Sequence, residues 1–326
     1  MKKSKRIAAA VLCGLLGVSA LTGCQKKEKE VIIYTNADDE AIEAMKKALD
    51  NNGYENQYIL QSFGTSELGG KLLAEGINIE ADLVTMSSFY LDSAQETSHM
   101  FKDLTFETKP IQDYPSFYTP ITAQEGAILV NTEVLKEQKL PMPASLKDLA
   151  DPVYEGMVSV TDVKSSTTAW LLIQSLVSEY GEEGAEEVLA GIYKNAGDHI
   201  ESSGSAPIKK VRAGEVAIGF GLRHQAVADQ AEGLPVTYVD PPEGNFSLTE
   251  SIAVVNKKTD SKAMEMAECI IKNGRADLLK TYPLPVYEGE ISESEHKSAY
   301  PMIFPEVLTV SLLEKHQQLS ENAKAK

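Results

Sequence analysis

Three short stretches combine hydroxyl side chains with glycine in a way that can hold an oxyanion: Gly64-Thr65-Ser66, Ser165-Ser166-Thr167-Thr168 and Ser202-Ser203-Gly204-Ser205. Each stands where a strand pattern gives way to a helical one, or just ahead of a helical run. A helix N-terminus presents unpaired N–H groups and a partial positive charge. Hydroxyls add donors without bulk, and Gly204 lets the backbone come close. Ser165, Ser166, Thr167, Ser203, Gly204 and Ser205 are therefore expected to converge on one anionic group, with Thr65 and Ser66 nearby. The competing explanation is plain N-capping, the commonest use of Ser and Thr at these positions.

Other candidates are single residues. Arg223, after Gly219-Phe220-Gly221-Leu222, carries a planar fork suited to phosphate or carboxylate, or else a salt bridge. His224 beside it is either a ligand contact or a packed side chain. Asn36 follows the first strand, where ligands bind at the C-terminal ends of parallel strands. Asp38, Asp39, Glu40 and Glu250 could meet a ligand ammonium. For the first three the alternative is to serve the helix dipole, and for Glu250 to be a solvated charge. Trp170 and Tyr180 fall on a helix and suit the core. The chain has no HExxH, CxxC or metal-spaced Cys/His cluster and no recognisable nucleophile–base pair. Neither catalysis, nor a metal, nor a cofactor is expected.

The elements that must position these residues alternate. Val31–Tyr34, Tyr58–Leu60 and Ala81–Met86 read as strands separated by helices, the pattern of βαβ units and a parallel sheet. Strands follow at Gly126–Val130, Val158–Val160, Val216–Phe220, Val236–Val239 and Ser251–Val255. A helix begins at Ala169. The tail from Lys262 is mainly helical, with a Tyr/Pro-rich loop at Tyr282–Tyr287.

Composition bounds the function. The 326 residues are 43% hydrophobic and 24% charged, which excludes a disordered chain and a polytopic membrane protein. The net charge is −17, and the first 23 residues contribute only positive charge. A surface this acidic repels nucleic acid and anionic lipid.

Lys2–Arg6 form a basic start, and residues 7–21 are apolar but short for a membrane span. Leu21-Thr22-Gly23-Cys24 resembles the bacterial lipobox, in which Cys24 is cleaved to the N-terminus and lipidated. A signal peptide is thus expected over 1–23 and a polar tether over 24–30. Only Cys269 then remains as a free thiol, and a buried apolar role is its default.

The opening VIIYTN strand, the lipobox and the run from DVKSSTTAW through ESSGSAP and GEVAIGFGLRH to SLTESIAVVN resemble the solute-binding proteins of bacterial ABC importers. The resemblance covers essentially the whole mature chain. Within it the chain looks like the branch of ferric-iron, 2-aminoethylphosphonate and sugar-phosphate binders. The resemblance implies an α/β, two-lobed periplasmic-binding-protein-like fold of type II, with mostly parallel sheets flanked by helices and a β-strand hinge. One lobe is expected over 31–127 and 252–326, the other over 128–251. It also implies a monomer, lipid-anchored on the extracytoplasmic face, that hands a small anionic or zwitterionic solute to an ABC permease and its ATPase subunits. Ferric-iron relatives hold the metal with adjacent tyrosines, and this chain has no Tyr-Tyr pair. A phosphonate or phosphate compound is therefore expected. Ferric iron, a polyamine or thiamine, and a sensor feeding a membrane kinase are the alternatives.

Overall fold

The computed structural model describes residues 30–258 and 262–326. The expected signal peptide, Cys24 and the expected tether up to residue 29 lie outside the described residues.

The first segment is β1 (Val31–Thr35), α1 (Asp39–Leu49), β2 (Tyr58–Ser62), α2 (Thr65–Glu75), β3 (Leu83–Ser87) and α3 (Ser88–Ser98). β1 pairs in parallel with both β2 and β3. Both faces of β1 are covered, so the strand reads as an unbroken apolar run rather than an alternation. Val31 and Ile33 pack with Met45 and Leu49 of α1 on one face. Ile32 and Tyr34 pack with Leu68 and Leu72 of α2 on the other.

β4 (Tyr118–Asn131) then crosses the molecule. Its residues 118–125 pair with β9 (Asn245–Val254), and its residues 126–131 pair with β7 (Ile218–Leu222) and β8 (Val236–Val239), all antiparallel. The change of partner falls at Gly126, where a side chain would run into the Phe220 ring and the Leu171 Cβ. Between these strands lie α4 (Thr132–Gln138), β5 (Val158–Thr161), α5 (Thr168–Ala196), β6 (Ile200–Glu201), α6 (Ala206–Ala213) and α7 (Arg223–Ala231). β5 pairs in parallel with β6 and β7. The sheet order is β2-β1-β3-β9-β4-β7-β5-β6, so the parallel sets lie outside and the long antiparallel strands join them.

The first helical stretch of α5 runs from Thr168 to a kink at Gly181. There Gly181 adopts φ 69 and ψ 176, outside the helical region, and a second helical stretch continues to Ala196. β4 and β9 begin earlier than the sequence pattern indicates.

After β9, α8 (Ala263–Cys269) and α9 (Arg275–Thr281) cover the first segment. The chain then crosses again, adds β10 (Pro301–Met302) beside β9, and ends in α10 (Val310–Lys324). α10 packs chiefly on α5 and also touches α3 of the first segment. Leu312, Leu313 and Leu319 are buried there. Each such burial stabilises the docking by roughly 1.5–3 kcal/mol. Trp170 Nε1 donates to His316 Nδ1 at 2.7 Å, and the Tyr193 and Ser320 hydroxyls pair at 2.7 Å. Burial holds the His316 pKa down at about 4, which keeps the ring neutral and able to accept that bond.

Candidate functional site

A cleft of about 520 Å³ opens between the two halves of the sheet. One wall comes from the first segment and the crossing strands: Asn36, Asp38, Asp39, Thr65, Glu67, Gln124, Glu250 and Tyr282. The other is Ser165–Thr168, Ser202–Ser205 and Lys209.

The serine wall is built by three local devices. First, Asp162 O accepts from both Ser165 N and Ser166 N at 3.0 Å, turning the chain between β5 and α5. Second, Ser203 O accepts from Thr161 Oγ1 at 3.3 Å, which ties the second loop to the end of β5. Third, Gly204 lies flat against the first loop: a Cβ there would overlap the Thr168 hydroxyl and crowd Ser166 Oγ. The two hydroxyl loops can meet only because residue 204 has no side chain.

The N-cap residues of α2, α5 and α6 are Gly64, Thr167 and Ser205, and none makes a side-chain capping bond. α1, α4 and α10 are capped by Asp38, Asn131 and Thr309, whereas α3, α7, α8 and α9 share the lack of a side-chain cap. Ser166 Oγ accepts from Thr168 N at 3.4 Å, a long contact at the start of α5. Ser166 Oγ and Thr168 Oγ1 lie 3.4 Å apart, as do Ser203 Oγ and Ser205 Oγ at 3.3 Å, both long contacts.

The opposite wall is acidic. Glu250 accepts from Ser87 Oγ at 2.6 Å through Oε1, its Oε2 is shut from solvent, and Asn36 stands against the carboxylate. Burial raises its pKa to about 7; Ser87 and Asn36 pull it back, and the charge of Asp38 adds to the rise. Asp38 accepts from Ala41 N at 3.3 Å and from the Tyr282 hydroxyl. Its pKa is also raised, first by burial and further by Glu40 and Asp39, against the two hydrogen bonds. Asn36 Nδ2 donates to Thr65 Oγ1 at 3.3 Å, joining the β1–α1 turn to the start of α2.

Of the residues singled out from sequence, the cleft brings together Asn36, Thr65, Ser165, Ser166, Thr167, Ser203, Gly204, Ser205 and Glu250. Three stand elsewhere. Ser66 donates from Oγ to Lys164 O at 2.6 Å, spending its hydroxyl on a bond that joins the two walls directly. Arg223 is a structural residue, buried at 4% exposure. Its Nε and Nη2 grip Asp240 at 2.7 and 3.2 Å, Nη1 donates to Glu295 O and Nη2 also to Lys297 O. The salt bridge is thus the reading that the geometry selects. His224 sits in a separate crevice with Glu125, Arg223 and His296, its ring 4.9 Å from Tyr282. Burial, with His296 and Arg212 adding to it, drops its pKa to about 3, so it is neutral. Leu222 faces the cleft, and the turn into α7 at Arg223 carries the next two side chains away from it.

Sequence reasoning missed Lys209 and Tyr282. Lys209 follows the second serine loop by one helical turn, which is a usable signal. Tyr282 meets Asp38 across 244 residues of sequence, and no local pattern marks it.

Two α/β halves, joined by long antiparallel strands around a polar cleft, define a solute receptor of the type II periplasmic-binding fold. Residues 60–304 match the bacterial extracellular solute-binding protein family, and the chain belongs to that family. Its members are transport components outside the cytoplasm rather than enzymes. An uncharacterized protein of Haemophilus influenzae is 25% identical over 255 residues, 74% of this chain and 72% of that one. Among solved structures, a periplasmic thiamin binding protein superposes with a TM-score of 0.74 at 18% identity, over 96% of this chain and all of that one. AfuA from Actinobacillus pleuropneumoniae, with fructose-6-phosphate bound, gives 0.69 at 19% identity, over 91% and 97% of the two chains.

Proposed function

We propose that this protein is the lipid-anchored receptor of an ABC importer and carries a small phosphate or phosphonate compound, such as 2-aminoethylphosphonate or a sugar phosphate. The single observation that supports this most is the convergence of three helix N-termini, α2, α5 and α6, on one cleft lined by hydroxyl side chains. Partial positive ends and neutral donors hold an oxyanion reversibly, as a receptor that must release its cargo requires. Lys209 at the rim adds a full positive charge. The sugar phosphate in AfuA is in keeping with such a cargo. Ferric iron is disfavoured by the donor set: the chain lacks adjacent tyrosines, and among the described residues no three His, Cys, Asp or Glu lie close enough to hold a metal ion.

A thermal-shift screen against phosphonates, sugar phosphates, Fe3+, thiamine and polyamines tests the reading. A cargo at 100 times its dissociation constant raises stability by about 2.7 kcal/mol. A shift with phosphonates or sugar phosphates is expected; a shift with Fe3+, thiamine or polyamines alone overturns the anion reading. The anchor is tested separately. Cys24→Ala should move the protein from the membrane fraction to the soluble one, and unchanged fractionation argues against lipidation.

A further inference from the structure

We propose that one face of α10 positions the anion site: Gln317, Glu321 and Lys324 hold the turn at residues 162–164, from which both serine loops are hung. The inference rests on the reading that these loops take the phosphoryl or phosphonyl group, and it adds the residues that keep them aimed.

The three α10 residues are spaced i, i+4, i+7 and therefore share one stripe of the helix. Each meets a different residue of the turn. Lys324 Nζ donates to Asp162 Oδ2 at 3.0 Å, and Glu321 Oε2 pairs with Lys164 Nζ at 2.9 Å. Gln317 Nε2 reaches Val163 O at 3.4 Å, a long contact. Lys324 is itself held in place, since Glu321 Oε1 accepts from it at 3.0 Å and the Tyr193 ring lies 5.6 Å away.

Asp162 spends its remaining groups on the site. Its carbonyl accepts from Ser165 N and Ser166 N, and its own N–H donates at 2.8 Å to the carbonyl of Glu201, the residue just ahead of Ser202–Ser205. Its Oδ1 accepts from Lys164 N at 2.9 Å, and Lys164 O accepts from Ser66 Oγ across the cleft. A shift of this one residue thus moves both serine loops and the bond between the walls. Gln317, Glu321 and Lys324 do not line the cleft, so they act through the turn rather than on the cargo. Neutral hydroxyls and N–H groups hold an anion well only when they are aimed before it arrives. A loosened turn lowers the competent fraction and raises the apparent Kd in proportion.

The test is isothermal titration of the full protein in detergent, with 2-aminoethylphosphonate and fructose-6-phosphate as probes. Lys324→Met should weaken binding of the probe that the wild type takes by about three- to tenfold. Lys324→Arg keeps the cation and should restore it. Lys315→Met is the control: it removes an α10 ion pair with Glu182 that does not touch the turn, and affinity should stay at the wild-type value. Asp162→Asn keeps the acceptor for Lys164 N but not the charge. It should mimic Lys324→Met, and the double variant should bind no more weakly than either single one. In the unliganded protein, hydrogen exchange at the Ser165 and Ser166 amides should quicken in Lys324→Met by at least the same factor. Unchanged affinity and exchange in Lys324→Met, or an equal loss in Lys315→Met, overturns the positioning role. Additive losses in the double variant overturn it too, because Lys324 would then act by its charge alone. If the wild type binds neither probe, the anion reading fails, and the exchange rates still decide whether α10 holds the turn.

Discussion

Replacing Glu250 with glutamine should change how stability varies with pH, before any ligand is added. Glutamine keeps the shape of the protonated carboxyl but cannot titrate. In the wild type the folded carboxyl has a pKa of about 7, against an ordinary value of 4.5. Between those two values the unfolded chain has lost its proton and the folded one has kept it. The folded state then binds more protons, so stability falls as pH rises. The loss is small below pH 4.5 and complete above pH 7. For this one group, linkage gives a decline of about 2.5 kcal/mol between pH 5 and pH 8.

Glu125 is also raised to about 7, chiefly by burial, and contributes a similar slope. That slope is common to wild type and variant, so the difference between them isolates Glu250. The loss of the Ser87 bond displaces the variant curve by a near-constant amount and leaves its shape alone. The assay is chemical denaturation at half-unit steps from pH 5 to pH 8. The variant should become relatively more stable as pH rises. Parallel curves would falsify the claim that Glu250 is a desolvated carboxyl.

Three further expectations concern single residues. Arg223→Ala removes the cation from partly buried Asp240, which keeps only Asn245 Nδ2 and Ala299 N as donors, and should cost about 3 kcal/mol of stability, read by denaturation; an unchanged midpoint would mean that the pair is not structural. Gly204→Ala drives a methyl into the Thr168 hydroxyl and should part the two serine loops, at a cost of about 1–3 kcal/mol and with weaker anion binding. Wild-type affinity and stability in that variant would show that the loops do not need their close approach. Ser205→Ala should weaken phosphonate binding about tenfold while leaving the unliganded melting temperature unchanged, and a matching fall in stability would reassign it to a structural role.

Much of this architecture is legible in the sequence, for physical reasons. Val31–Tyr34 and Val158–Val160 are short β-branched runs bounded by turns, and burial on both faces makes them continuous. The serine loops are legible because hydroxyls and glycine ahead of a helical run have few uses. What stays hidden depends on distant partners. Residues 118–125 look polar and contain Pro120, yet they form a strand because β9 lies alongside. α10 is amphipathic, but nothing in it says that it docks on Trp170 and Tyr193 rather than on its sequence neighbours. Arg223 has the chemistry of an anion ligand, and only the fold brings Asp240 and two carbonyls to its fork. Ser66 fails for a similar reason: Lys164 O, 98 residues on, takes its hydroxyl.

The most direct measurement is a crystal structure of the protein with 2-aminoethylphosphonate bound. The phosphonyl oxygens should lie within hydrogen-bond distance of Ser166, Thr167 and Ser205, against the N-termini of α5 and α6. A phosphonyl group placed instead on the Glu250 and Asp38 wall, or outside the cleft, would contradict the reading.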